Sequence, residues 1–183
     1  MLISRFKNSQ ENMKIEDFCE MVKIKLPEQY LNFMRKYNGG ETPDTKWTGT
    51  GKSDVRVFYG YKIDKKNWDL EQILSYVLME KLMEQKMFPF AENSFGDVYC
   101  INCEDESIWF MHHDSPKGKR VADDFNGFIK GCKSKKIGHI WTIEERKKIL
   151  FDNWGKEPSE GQLKGWQAEI DKYSNMVQEE VIL

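Results

Sequence analysis

The side chains with the clearest potential for chemistry are cysteines and histidines that lie close together in the sequence. Cys100 and Cys103 have the CxxC spacing that zinc sites use, and His112 and His113 follow them. Zinc sites place such a cysteine pair in a turn, whereas this pair lies in an alternating run that is typical of a strand. Residues three apart on a strand face opposite sides. We therefore predict two mostly buried thiols and no metal site.

Nucleophilic catalysis would require one of the four cysteines to lie beside one of the three histidines. No catalytic signature surrounds a cysteine, and a reactive thiol also needs an electropositive setting. The glycine patterns of phosphate-binding loops do not occur either. We therefore predict no catalytic residue and no cofactor, and a protein that is not an enzyme. A small enzyme remains the third alternative, because cysteines and histidines share this stretch.

The same stretch carries the sharpest charge feature of the chain. From residue 87 to residue 116 there is no lysine or arginine, whereas acids recur. A negative surface steers a basic partner and raises its association rate. Tyr99, Trp109 and Phe110 could supply aromatic anchors, although some of them must belong to the core. The alternative is an ordinary hairpin with solvated charges. The predicted partner-binding residues are Asp97, Glu104, Asp105, Glu106, His112 and Asp114.

An antiparallel hairpin is the element that must position these residues. Two β-prone runs, 98–103 and 107–112, flank the polar turn 104–106. Gly96 indicates a tight turn or a close backbone approach before the first strand.

Helices and three further strands are predicted before and after this hairpin, from apolar periodicity and capping residues. The elements predicted before it are a helix over about 11–23, a helix from Pro27 that ends at Asn38, a loop over 41–54 anchored by Trp47, a strand over 55–61 and a helix over 67–86. The elements predicted after it are a short strand at 121–122, a helix opened by Asp123 and Asp124, one further strand at 137–141, and helices over 144–151 and from Ser159.

Composition describes an ordinary soluble protein. The chain has 183 residues, a formal net charge of −2, 32% charged residues and 39% hydrophobic residues. This charge gives no case for direct nucleic-acid binding, and no stretch has the length of a membrane span. No signal peptide precedes the cysteines, so we predict a cytoplasmic protein with reduced thiols.

Four stretches, in this order, resemble the motifs of the SUKH superfamily (the Smi/Knr-like domain). They are 26–40 (LPEQYLNFMRKYNGG), 89–101 (PFAENSFGDVYCI), 109–114 (WFMHHD) and 122–129 (ADDFNGFI). The resemblance covers about residues 11–131 and leaves out the helical tail. The matched positions look structural in the family, and none of them is a catalytic residue there.

The resemblance implies an α+β fold, with an antiparallel or mixed sheet packed against helices in a domain over 1–131. We expect 132–183 to be a C-terminal helical extension packed on the same domain. Many bacterial members are immunity proteins that bind and neutralise a toxin, often a nuclease, and fungal relatives are regulatory scaffolds. The expectation is therefore a non-enzymatic immunity protein whose partner is a basic cognate toxin. The alternative is an intracellular scaffold with no toxin partner, and the oligomeric state stays open.

Overall fold

An antiparallel sheet forms the centre of the fold. The computed structural model describes residues 1–7, 14–49, 53–115 and 117–183. The strands of this sheet are β2 (Gly40–Glu41), β5 (Val57–Phe58), β6 (Met87–Glu92), β7 (Val98–Asn102), β8 (Ile108–Met111) and β9 (Gly118–Ala122). They lie in the order β2–β5–β6–β7–β8–β9, and each neighbouring pair is antiparallel. The predicted central hairpin is β7–β8.

Helices complete the α+β fold that the sequence predicted. They are α1 (Ile15–Val22), α2 (Glu28–Tyr37), α3 (Leu70–Leu74), α4 (Val77–Glu84) and α5 (Phe125–Gly131). Both α2 and α5 pack aromatic rings against β6. Phe90 of that strand lies 5.9 Å from Tyr30 of α2 and 5.4 Å from Phe125 of α5, measured between ring centroids. All three side chains are fully buried, so an aromatic core joins these helices to the sheet.

Local capping signals were read correctly from the sequence. Asn38 ends α2 with φ 47°, in the left-handed region that asparagine tolerates, and the Asp124 side chain accepts a hydrogen bond from Gly127 N–H at the start of α5. Pro27 lies just before α2 rather than within it. The i, i+3, i+4, i+7 spacing predicts one apolar face of α1, formed by Ile15, Phe18, Cys19 and Val22. This prediction was wrong for Cys19, which is exposed. Residues 8–13, where this helix was predicted to begin, lie outside the described residues.

The predicted loop over 41–54 contains strands. β3 (Thr45–Trp47) pairs with β4 (Ser53–Asp54) and with β10 (Cys132–Ser134). A further short ladder pairs β1 (Leu2–Ile3) with β11 (Glu179–Glu180). The β3–β10 and β1–β11 pairings join residues far apart in the chain, so no local alternation indicates them. Trp47 is buried, as predicted, and stacks on Phe128. Residues 50–52 of the predicted loop lie outside the described residues.

The long helix predicted over 67–86 is divided into separate pieces. A 3₁₀ turn (Lys66–Trp68) precedes α3, and Tyr76 is extended between α3 and α4. The Asp69 carboxylate accepts hydrogen bonds from the backbone N–H groups of Ile63 and Glu71, so it acts as a cap inside the predicted helix. The strand predicted over 55–61 is shorter too, although its alternating side chains are buried.

The chain has two compact units: Met1–Lys135 with Gln178–Leu183, and Lys136–Val177. The second unit holds α6 (Ile143–Trp154) and α7 (Glu160–Ser174). Each is opened by a capping box that the sequence predicts, Thr142 with Glu145 and Ser159 with Gln162. Arg146 of α6 forms a bidentate ion pair with Glu169 of α7, at 2.9 and 3.0 Å. Residues 137–141 are not a strand, in contrast to the prediction. Packing of the extension on the domain stays a prediction.

Candidate partner-binding site

The β7–β8 hairpin separates the predicted site residues into two groups. Val98 pairs with Met111 at one end of the hairpin, and Ile101 pairs with Ile108 at the other. One group is the histidine end (residues 93–97 and 112–115), and the other is the acidic turn (residues 103–107). A strand of this length separates them by roughly 15 Å, at about 3.3 Å per residue. The structure therefore brings Asp97 together with His112 and Asp114, and places Glu104–Glu106 away from them.

Asp97 is buried at the histidine end and has structural partners. Its carboxylate accepts hydrogen bonds from the His113 backbone N–H at 3.1 Å and from Asn93 Nδ2 at 3.0 Å. The His113 ring nitrogen Nδ1 lies 2.8 Å from Asp97 Oδ1, whereas His112 Nδ1 lies 3.6 Å away. The sequence-based prediction named His112 and missed His113, which makes the shorter contact.

The charge state of this pair follows from its contacts. Burial opposes ionisation of Asp97, but hydrogen bonds from the His113 side chain and backbone and from Asn93 outweigh it, so the Asp97 pKa lies below its ordinary value. The hydrogen bond to Asp97 raises the His113 pKa, and the charge of Asp114 adds to this. Asp97 is therefore ionised at neutral pH, and its burial leaves little of the carboxylate open to direct contact.

The acidic turn presents its carboxylates to solvent. Glu104, Asp105 and Glu106 are all exposed. The Asp105 carboxylate accepts hydrogen bonds from Ser107 N–H and Oγ–H, and these bonds lower the Asp105 pKa, as does the nearby charge of Arg120. Glu104 and Glu106 have exposed side chains that a partner could reach.

The aromatic residues proposed as anchors belong mainly to the core. Tyr99 is fully buried and Phe110 is 7% exposed, so neither can insert into a partner. Trp109 is half-buried, and its indole N–H donates to Ser107 Oγ at 2.9 Å. Of these three aromatic residues, Trp109 is the most exposed.

Cys100, Cys103 and Cys132 lie in surroundings that favour the protonated thiol. Burial raises the pKa of Cys100 well above its ordinary range and that of Cys132 to about 12. Cys103 is half-buried, and burial raises its pKa too. Within 1–7, 14–49, 53–115 and 117–183, no group of three or more histidine, cysteine, aspartate or glutamate side chains could hold a metal ion. In the same residues, no helix has the length and apolar character needed to cross a membrane.

Fold and site together define an α+β domain whose central hairpin has exposed charged or titratable side chains at both of its ends. The chain belongs to the SMI1 / KNR4 family (SUKH-1), whose model matches residues 12–131. The match confirms the SUKH-like resemblance seen in the sequence motifs, and it ends before the helices α6 and α7. No curated protein was similar enough to this chain to count as a match.

Proposed function

We propose that this chain is an immunity protein that binds and neutralises a basic cognate toxin, of which a nuclease is the favoured kind. The supporting observation is the exposure of Glu104, Asp105 and Glu106 on the hairpin of a SUKH-1 domain, within a stretch that has no lysine or arginine. The family is consistent with immunity-type function. Nucleases bind phosphates through lysine and arginine, so an acidic surface is complementary to them.

Inhibition follows from occupation of the toxin surface. Exposed carboxylates steer a basic partner during encounter, and contact then covers the surface that would otherwise bind nucleic acid. This function requires no catalytic residue and no cofactor in the present chain, and it operates in the cytoplasm. The proposed contact residues are those of the sequence-based prediction, with Asp97 acting through its charge because it is buried.

The test is co-expression with the protein encoded by the reading frame directly upstream. We expect a stable one-to-one complex on size-exclusion chromatography with light scattering, and relief of the toxicity of that neighbour. The matched control is co-expression of the same neighbour with an unrelated acidic protein of similar size. Absence of both the complex and the protection would contradict the proposal and favour the regulatory scaffold.

A further inference from the structure

The turn between β6 and β7 is held by an unusually complete set of hydrogen bonds around Asn93. This side chain is buried, and its Oδ1 accepts from the backbone N–H groups of Phe95 and Asp97, both at 2.9 Å. Its Nδ2 donates to Asp97 Oδ2 at 3.0 Å and to Ser53 Oγ at 3.1 Å. One asparagine side chain therefore forms hydrogen bonds to groups on both sides of the turn, and these bonds fix the turn conformation.

Neighbouring segments hold the same turn from outside. Ser94 donates from its N–H and its hydroxyl to Asp54 Oδ2, at 3.0 and 2.6 Å. On the other side, Asp97 is bonded to His113 as described above. Gly96 has φ +85°, a left-handed conformation that glycine adopts without strain. Such a turn loses little conformational freedom when a partner binds, and this favours affinity.

Phe95 projects from this fixed turn into solvent. Its side chain is 76% exposed, more than any other aromatic side chain in the described residues. By contrast, Phe90 a few positions earlier is fully buried in the core. The polar side chains of the turn bond inward, so Phe95 is the large group that the turn presents. An aromatic side chain on a rigid support is the usual form of an interface anchor.

The surroundings of Phe95 carry a negative charge. In the described residues 53–54, 93–97, 112–115 and 117, three carboxylates stand against one lysine, which leaves a formal charge of −2 with the histidines neutral. Lys46, opposite Asp54 in the β3–β4 ladder, reduces this to −1. The carboxylates are those of Asp54, Asp97 and Asp114, and the lysine is Lys117. The Glu92 carboxylate bonds instead to Tyr59 and Trp68. A partner surface that fits is an apolar pocket bordered by lysine or arginine.

We propose that Phe95 is the central anchor of the partner interface, inserted into an apolar pocket that basic side chains border on the toxin. This inference rests on the proposed function, because it names the contact point for the same protein partner. It moves the centre of the interface to the histidine end, where the turn is fixed and an aromatic group is available. The acidic turn then contributes long-range attraction rather than the anchor.

The test compares Phe95→Ala with Tyr76→Ala, in complexes of the full chain with the purified product of the upstream reading frame. Tyr76 is the matched control, because it is an exposed aromatic (45%) in the same compact unit. We expect Phe95→Ala to raise the Kd by about 30-fold or more, and Phe95→Leu to restore part of the affinity. Tyr76→Ala should leave the Kd within about twofold. Both alanine variants should unfold at the urea concentration of the wild type.

The outcomes separate this inference from the proposed function. Wild-type binding together with an unchanged Kd for Phe95→Ala would overturn the anchor and leave the immunity function standing. A larger loss for Tyr76→Ala than for Phe95→Ala would also overturn it, and would place the anchor on the α3–α4 segment. No binding by the wild type would overturn both. As a second measurement, a photo-reactive benzoylphenylalanine at position 95 should crosslink to the partner, whereas the same group at position 76 should not.

Discussion

The two ends of the β7–β8 hairpin carry acids from one stretch of sequence and use them in different ways. At the acidic turn, Glu104 and Glu106 are exposed and Asp105 bonds to the neighbouring Ser107. At the histidine end, Asp97 is buried and ties together two connections of the sheet through Asn93 and His113. An acid in a charged stretch can therefore be either a surface charge or a structural tie.

The comparison also explains why a rigid site and a charged site need not coincide. Exposed charges act over about a Debye length and need no fixed geometry, so a solvated turn serves them well. An anchor must be held in place before binding, and this requires buried polar partners such as Asn93. The following predictions test this division of roles.

The largest expected effect is a loss of stability on removing the buried acid. Asp97→Ala removes the acceptor of the His113 N–H and one of the two acceptors of the Asn93 amide, and we expect the free energy of unfolding to fall by about 2–4 kcal/mol. Urea denaturation monitored by tryptophan fluorescence measures this. The matched control is Asp114→Ala, an exposed acid at the same end, which should change the stability by less than about 0.5 kcal/mol. Equal losses of stability in the two variants would show that the buried acid contributes no more to the fold than the exposed acid does.

A smaller effect is expected from reversing the exposed acids. Glu104→Lys with Glu106→Lys keeps Asp105 and its bonds to Ser107, so folding is preserved. We expect the association rate with the upstream gene product to fall roughly 10-fold at low ionic strength, and the difference to shrink at high salt. Stopped-flow or surface-based kinetics would show this.

The control for that reversal changes the same number of charges elsewhere. Glu16→Lys with Glu20→Lys alters two exposed acids of α1 and should leave the association rate close to that of the wild type if steering is local. Equal slowing by both pairs would mean that net charge, rather than the acidic turn, governs association.

The smallest effect is a pH dependence of the Asp97–His113 contact. The Asp97 pKa is lowered, so its contribution is present above the ordinary pKa of 3.8 and is lost as the pH falls through the folded value. The His113 pKa is raised, so its contribution is fully present below the ordinary value of 6.5 and is lost as the pH rises through the folded value. We therefore expect the stability difference between wild type and His113→Gln to be largest in mildly acidic solution.

Urea denaturation across this pH range, with NMR titration of the imidazole resonances, measures that dependence. His112→Gln is the control, because its ring nitrogen lies 3.6 Å from Asp97 and should contribute less. A stability difference that rises steadily from mildly acidic to alkaline pH would contradict the assignment of the raised pKa to His113.

Features set by neighbouring residues were predictable from the sequence. The turn at Asn38 and the capping boxes at Thr142 and Ser159 depend on residues within a few positions, and the structure has them where the sequence placed them. The exposure of the turn at 104–106 was also predictable, since consecutive acids at a hairpin turn stay in water. The helix predicted over 67–86 was too long, because Asp69 caps α3 at its start and Tyr76 is extended between α3 and α4.

Features set by distant residues were not predictable. β3 forms because residues near Cys132 return beside Trp47, and the spacing within 41–54 contains no trace of that pairing. Burial of Asp97 and exposure of Phe95 depend on a register that brings His113 and Ser53 to the same turn. The sequence-based site therefore contained an acid that is buried and omitted the aromatic residue that is exposed.

By itself, the sequence determined the SUKH-like α+β fold, the central hairpin and its concentration of acids, because periodicity, capping and motif order are local properties of the chain. Only the tertiary structure decided that some of these acids are solvated at the acidic turn, whereas another is buried at the histidine end, about a strand length away. Pairing between strands sets which side chains meet, and burial then decides whether a carboxylate holds the fold together or faces a partner.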